Sequence, residues 1–126
     1  LGTPPEGFSD IYHIVLSAHM AGKAAAQSGV SAAEVDHAAR QIIERAGYGS
    51  YFTHRLGHGI GLDVHEPPFI TSSNRAPLEI GNVFSCEPGI YLPGRFGVRI
   101  EDLLVLEKNG ARSLNTLSKD LQIIPV

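Results

Sequence analysis

Val83-Phe84-Ser85-Cys86-Glu87-Pro88-Gly89-Ile90-Tyr91-Leu92, then Pro93-Gly94-Arg95-Phe96-Gly97, then Val98-Arg99-Ile100-Glu101-Asp102-Leu103-Leu104-Val105-Leu106, is the stretch on which the fold turns. Positions 82–86, 90–92 and 98–106 read as strands, and the Pro-Gly segment 93–97 reads as the connection of a β-hairpin. Two further strands are predicted over 51–55 and 122–124. No long helix survives after Tyr51, because glycines at 57, 59, 61, 81, 89, 94, 97 and 110 and prolines at 67, 68, 77, 88 and 93 interrupt any such pattern.

Upstream the pattern is different. Ile11, Ile14, Val15, Ala18 and Ala21 or Gly22 recur at helical spacing behind Ser9 or Asp10 as a cap, with Gly29 as a stop. Ser31 with Glu34 three residues on is a capping box, and it opens a second helix striped by Val35, Ala38, Ala39, Ile42, Ile43 and Ala46, ended by Gly47 and Gly49. So short a connection sets the two helices antiparallel. Helices first and strands after predict an α+β fold, with the helix pair packed on a mostly antiparallel sheet.

Composition narrows the function. The 126 residues carry 10 Lys+Arg against 13 Asp+Glu, a net charge of −3, which supplies no field for nucleic acid. No apolar run is long enough for a membrane helix, and Cys86, the one cysteine, demands no oxidising compartment. A cytoplasmic location is therefore expected. The opening Leu1-Gly2-Thr3-Pro4-Pro5 reads as a cut through a longer protein.

Two segments carry chemistry. His54, His58 and His65 fall within twelve residues, and Gly57 and Gly59 flank His58, which permits close approach to a ligand or to another strand. A helical His-Glu-x-x-His zinc site fails here because those glycines and Pro67-Pro68 break the helix it needs. In the second segment Glu87 ends an apolar strand, and Arg99, Glu101 and Asp102 interrupt another. Alternation places Arg99 and Glu101 with Leu103 and Val105 on one face, and Val98, Ile100, Leu104 and Leu106 on the other. Charges in such a run point to paired or metal-bound groups. If the two strands are neighbours, Glu87 and Glu101 converge, and with one imidazole they suit Mn²⁺, Fe²⁺, Co²⁺ or Zn²⁺.

The ordered series Gly57-His58-Gly59-Ile60-Gly61, His65-Glu66-Pro67, Glu87-Pro88-Gly89-Ile90-Tyr91 and Gly97-Val98-Arg99-Ile100-Glu101-Asp102 resembles the catalytic domain of the Xaa-Pro peptidases, prolidase and aminopeptidase P. The resemblance covers essentially the whole chain. It implies half of a pita-bread fold, with residues 1–126 as the C-terminal half of the catalytic domain, cut at its N-terminus. It also implies roles: His58, Glu87 and Glu101 as metal ligands, Glu101 bridging two ions; Glu87 as acceptor of the water's proton; His65 on the substrate and the tetrahedral intermediate; His54 lining the substrate side; Arg99 near the bridging carboxylate. Two divalent ions, Mn²⁺ first and Co²⁺ or Zn²⁺ as alternatives, would activate water against the bond before proline in a peptide substrate.

Two aspartate ligands of the family lie upstream of any segment like Leu1–Gly7, and Asp10, Asp36 and Asp63 do not replace them. The fragment is therefore expected to be inactive alone, to hold at most one ion weakly, and to self-associate, as a homodimer or otherwise, through an uncovered apolar face. The rival readings are a non-catalytic pita-bread module that binds proteins or peptides, and a metal-free creatinase-like hydrolase; the intact ligand set of this half speaks against both. His13, His19 and His37 read as surface or boundary residues, Cys86 as a small buried hydrophobe facing away from Glu87, and Tyr91 and Phe96 as packing.

Overall fold

The computed structural model describes residues 2–126. Helix α1 (Phe8–Ala25) begins two residues before the expected Ser9/Asp10 cap has acted: Gly7, at φ 77°, takes the N-cap position without a side-chain bond. Its buried face is Ile11, Val15, Ala18, His19 and Gly22. Helix α2 (Ala32–Arg45) opens on the predicted capping box, in which Ser31 Oγ accepts from the Glu34 amide and the Ser31 amide donates to Glu34 Oε2 at 3.0 Å. Val35, Ala39 and Ile43 are buried, whereas Ala46, at the helix end, is exposed.

Among the described residues seven strands follow: β1 (Gly57–Gly59), β2 (Glu66–Ile70), β3 (Val83–Cys86), β4 (Gly89–Leu92), β5 (Phe96–Arg99), β6 (Asp102–Glu107) and β7 (Gly110–Ser113). Five form one antiparallel sheet in the order β2-β1-β3-β6-β7, and β4 and β5 pair separately. The predicted hairpin is present, with Leu92 opposite Phe96 and Gly94 at φ 70° in its turn. Cys86 faces Asp102 in one ladder and Gly89 faces Arg99 in the other, which is a single register running through both pairs. Between them the Ile100 amide donates to the Pro88 carbonyl at 3.3 Å. The same register sets Glu87 opposite Glu101, and residues directly opposite share a face.

That ribbon has two unlike sides. Phe84, Cys86, Ile90, Val98, Ile100, Asp102, Leu104 and Leu106 are buried beneath the helices. Gly22 lets α1 close on them: a methyl there would stand 3.1 Å from Cys86 Sγ and 3.3 Å from Ala39. Ser85, Glu87, Tyr91, Arg99 and Glu101 belong to the opposite side by alternation.

Four expectations need correction. Residues 51–55 are not a strand; a 3₁₀ turn (Gly49–Tyr51) leads into an irregular segment whose carbonyls bond Arg40 rather than a ladder. Residues 122–124 belong to an exposed tail, where the Gly2 amide bonds the Ile124 carbonyl. Strands β1, β2 and β7 went unforeseen: Gly57 and Gly59 in β1, Pro67-Pro68 in β2 and Gly110 in β7 argue against strands, yet β2 and β7 lie at sheet edges, where missing donors are tolerated. His19 is buried on α1, beside Asp102, and is not a surface residue.

Candidate active site

His58 occupies the middle of a three-residue strand, and its glycine neighbours exist for the close approach of other backbone. A methyl at Gly57 would lie 1.8 Å from the Ser85 carbonyl oxygen, and one at Gly59 would lie 2.3 Å from that of Pro67. The His58 amide donates to Ser85 Oγ at 3.0 Å, which fixes β1 on β3. Ser85 Oγ has one proton, and its nearest acceptor is Glu87 Oε1 at 2.9 Å. Glu87 is itself held by its amide, which donates to the Leu56 carbonyl at 2.8 Å.

The imidazole tautomer follows from its partners. A carbonyl accepts only, so the 2.9 Å contact between His58 Nδ1 and the Gly59 carbonyl puts the proton on Nδ1. Nε2 of the neutral ring then carries a lone pair, and it faces Glu87 Oε1 at 3.1 Å. Two acceptors at that distance require a proton or a cation between them. Imidazole with carboxylate is a donor set for divalent transition metals, and bonds of about 2.1 Å from one ion span such a gap. This pair therefore supplies two of the donors that a divalent metal ion takes.

Around this pair lie the other candidates. His54, Arg55, His65, Thr71 and Arg99 line the same cavity as His58 and Glu87, with a volume of about 530 Å³. His65 is exposed, its ring centre 4.3 Å from that of His58. Arg99 extends one guanidinium nitrogen to 3.6 Å from Glu87 Oε2 and donates through Nε to the Tyr91 hydroxyl at 2.7 Å. His54 Nδ1 donates to the Arg55 carbonyl at 2.7 Å, and its Nε2 meets the Tyr91 hydroxyl at 2.9 Å.

The structure thus brings five of the six expected residues into one cavity. Glu101 is the sixth. It is set across from Glu87 by register, yet its exposed side chain borders a neighbouring depression with Tyr12, Asp102 and Lys119. Among the described residues no three His, Cys, Asp or Glu side chains stand close enough together to hold an ion. Arg99 reaches Glu87 and also borders the depression that Glu101 lines.

Tyr91 reads in the sequence chiefly as a packing residue near Glu87; its hydroxyl joins His54 to Arg99. The signal was available in the hairpin, since Tyr91, Glu87 and Arg99 fall on the same alternation. Asp102 lies on the helix side, bonded by Ser113 Oγ at 2.7 Å and Lys119 Nζ at 2.8 Å. Asp36 is buried and bound by Arg40, while Asp10 and Asp63 are exposed.

A family model described as metallopeptidase family M24 matches residues 1–108. The chain belongs to metallopeptidase family M24. It is 51% identical over 125 residues to the Xaa-Pro dipeptidase of Lactobacillus helveticus, a match covering 99% of this chain and 34% of that protein. With the Xaa-Pro dipeptidase of Pyrococcus furiosus it shares 46% over 121 residues, 96% of this chain and 35% of that one. Dipeptidase PepE from Mycobacterium ulcerans superposes with a TM-score of 0.97 at 48% identity, over all of this chain and 34% of that one.

The prolidase from Pyrococcus horikoshii OT3 gives a TM-score of 0.94 at 44% identity, over 97% and 35%. The helix pair and mostly antiparallel sheet of this M24 chain are therefore those of the pita-bread prolidases. It spans about a third of the length of the curated relatives it matches. The N-terminal domain of the chickpea FACT complex subunit SPT16 shares the fold alone, at 22% identity and a TM-score of 0.83. Membership of M24 implies divalent metal ions. No helix is long and apolar enough to cross a membrane among the described residues.

Proposed function

We propose that residues 1–126 are the C-terminal half of a pita-bread catalytic domain that hydrolyses the bond before proline, as an Xaa-Pro dipeptidase or aminopeptidase. The observation that carries this is His58 Nε2 facing Glu87 Oε1 at 3.1 Å, with Nδ1 held by the Gly59 carbonyl. His58 and Glu87 would hold one divalent ion, and Glu101, opposite Glu87 in register, would contribute to the pair of ions. Mn²⁺ is the first candidate, with Co²⁺ or Zn²⁺ next. When bound, such ions supply a water whose pKa is lowered towards neutrality.

The chain's own residues do the rest. Glu87 receives the proton on its carboxylate, which Ser85 keeps oriented through Oε1. Arg99 offsets charge on Oε2. His65, open to the cavity, donates to the substrate carbonyl as negative charge develops there. His54 lines the substrate side, with its orientation fixed by the Arg55 carbonyl and the Tyr91 hydroxyl.

Two carboxylate ligands from outside this sequence complete the centre, so the 126 residues alone bind one ion weakly and do not turn over peptide. The expected setting is the cytoplasm, with a proline-containing peptide as substrate and neither nucleic acid nor membrane as partner. Exposed Leu62, Val64 and Leu117 support self-association, which sedimentation would register as species above the monomer.

Electron paramagnetic resonance of added Mn²⁺ tests the reading. The chain should show one weak site that His58→Ala and Glu87→Gln each abolish, and no hydrolysis of an Xaa-Pro dipeptide above background. Mn²⁺ binding unchanged in both variants would overturn the assignment, and turnover on the order of 10 s⁻¹ would overturn the inactivity of the isolated chain.

A further inference from the structure

Between α2 and β1 the chain runs through Phe52, Thr53, His54, Arg55 and Leu56 without a ladder partner, although Phe52 and Leu56 are buried. Buried carbonyls and amides need partners, and here one ion pair on α2 supplies them. Asp36 is fully buried, and Arg40 grips it through two bonds, Nε to Oδ2 at 2.8 Å and one terminal nitrogen to Oδ1 at 3.0 Å. That same terminal nitrogen donates to the His54 carbonyl at 2.9 Å, and the other donates to the Phe52 carbonyl at 3.1 Å. The guanidinium lies 4.1 Å from the centre of the Phe52 ring, and that ring stands edge-on to His54. Asp36 Oδ1 also accepts the Leu56 amide at 3.0 Å, while the Leu56 carbonyl accepts the Glu87 amide.

We propose that Asp36 and Arg40 are positioning residues of the active site: their ion pair locks the 52–56 segment so that His54 presents a single tautomer to Tyr91 and Leu56 anchors Glu87. The proposal rests on the reading of His54 and Glu87 as active-site groups. A buried ion pair is poor value as a staple, because apolar side chains of the same volume hold helices as well or better. What it adds is direction. Four N–H bonds leave one rigid planar group toward three residues, a pattern that a lysine ammonium on a flexible stem does not reproduce. The lock reaches the site by two routes, through the His54 backbone to its ring and through Leu56 to the Glu87 amide.

The test uses Arg40→Lys, which keeps the charge, and Asp36→Asn, with ¹⁵N resonance of the histidine ring nitrogens and amide hydrogen exchange as readouts. The native chain should show His54 as the Nδ1–H tautomer. Arg40→Lys should mix the tautomers while helix content by circular dichroism is retained, and added guanidinium ion should restore the single form in Arg40→Ala. Exchange at Leu56 should quicken about tenfold or more in Asp36→Asn, the factor carried by a bond to a charged acceptor. Native His54 shifts and native Leu56 protection in Arg40→Lys would overturn the proposal, even if Asp36→Asn fails to fold. Neither readout needs metal or turnover, so the outcome is separate from whether the chain serves peptide hydrolysis.

Discussion

Gly57→Ala is the sharpest perturbation of this site, because it adds one methyl group and changes no charge. On the present backbone that methyl would sit 1.8 Å from the Ser85 carbonyl oxygen, against the 3.0 Å below which real Cβ contacts are essentially never found. The obstacle is backbone, so it cannot rotate aside, and β1 must retreat from β3. The retreat stretches the 3.0 Å bond from the His58 amide to Ser85 Oγ. Overpacking of this kind costs about 1–3 kcal/mol, and the lost bond adds about 0.5–1.5 kcal/mol. With a urea dependence of about 2 kcal/mol per molar, the midpoint should fall by about 1–2 M. His58 would also leave its 3.1 Å separation from Glu87, so Mn²⁺ binding should fall as well. A Gly57→Ala chain with native midpoint and native Mn²⁺ binding would refute the claim that backbone proximity places the imidazole.

Two further outcomes follow from groups on the helix side. Burial is the main influence on His19, holding its pKa below the ordinary 6.5 against the opposing pull of Asp102, so the unfolded chain binds the proton first. Stability should therefore fall as pH drops below 6.5 toward the lowered folded value, and His19→Gln should remove that component of the urea-midpoint profile; a flat native profile over this window would contradict it. Burial likewise pushes the Cys86 thiol up to about 12. Labelling by a thiol reagent at pH 8 should then require unfolding and track urea concentration, whereas rapid labelling of the native chain would show that the helix side is open.

How much was legible in advance differs by element. The capping box at Ser31 and Glu34 identified α2 because it is a local hydrogen-bond pattern. The 83–106 hairpin was equally legible, since its turn residues and alternation are local as well. Segment 51–55 was misread because aromatic and β-branched composition looks the same whether backbone groups are met by a ladder or by Arg40. His19 was misplaced because a histidine on a helix stripe does not announce the Asp102 that lies beside it across the core. Tyr91 was undervalued for a related reason: its bonds reach His54 and Arg99, residues 37 and 8 positions away.

The sequence by itself determined that two helices precede the strands, where the 83–106 strands and their hairpin lie, the chemical types at 54, 58, 65, 87, 99 and 101, and that Arg99 and Glu101 share a strand face. These depend on period, propensity and turn chemistry, which act over a few residues. Only the tertiary structure decided that His58 Nε2 meets Glu87 Oε1, that Glu101 stands across from Glu87 with its side chain turned to another depression, and that Asp36 and Arg40 hold the segment bearing His54. Those are contacts between residues far apart in the chain. Their geometry is fixed by backbone approaches at Gly57 and Gly59 and by buried charge pairing, neither of which leaves a periodic trace in the sequence.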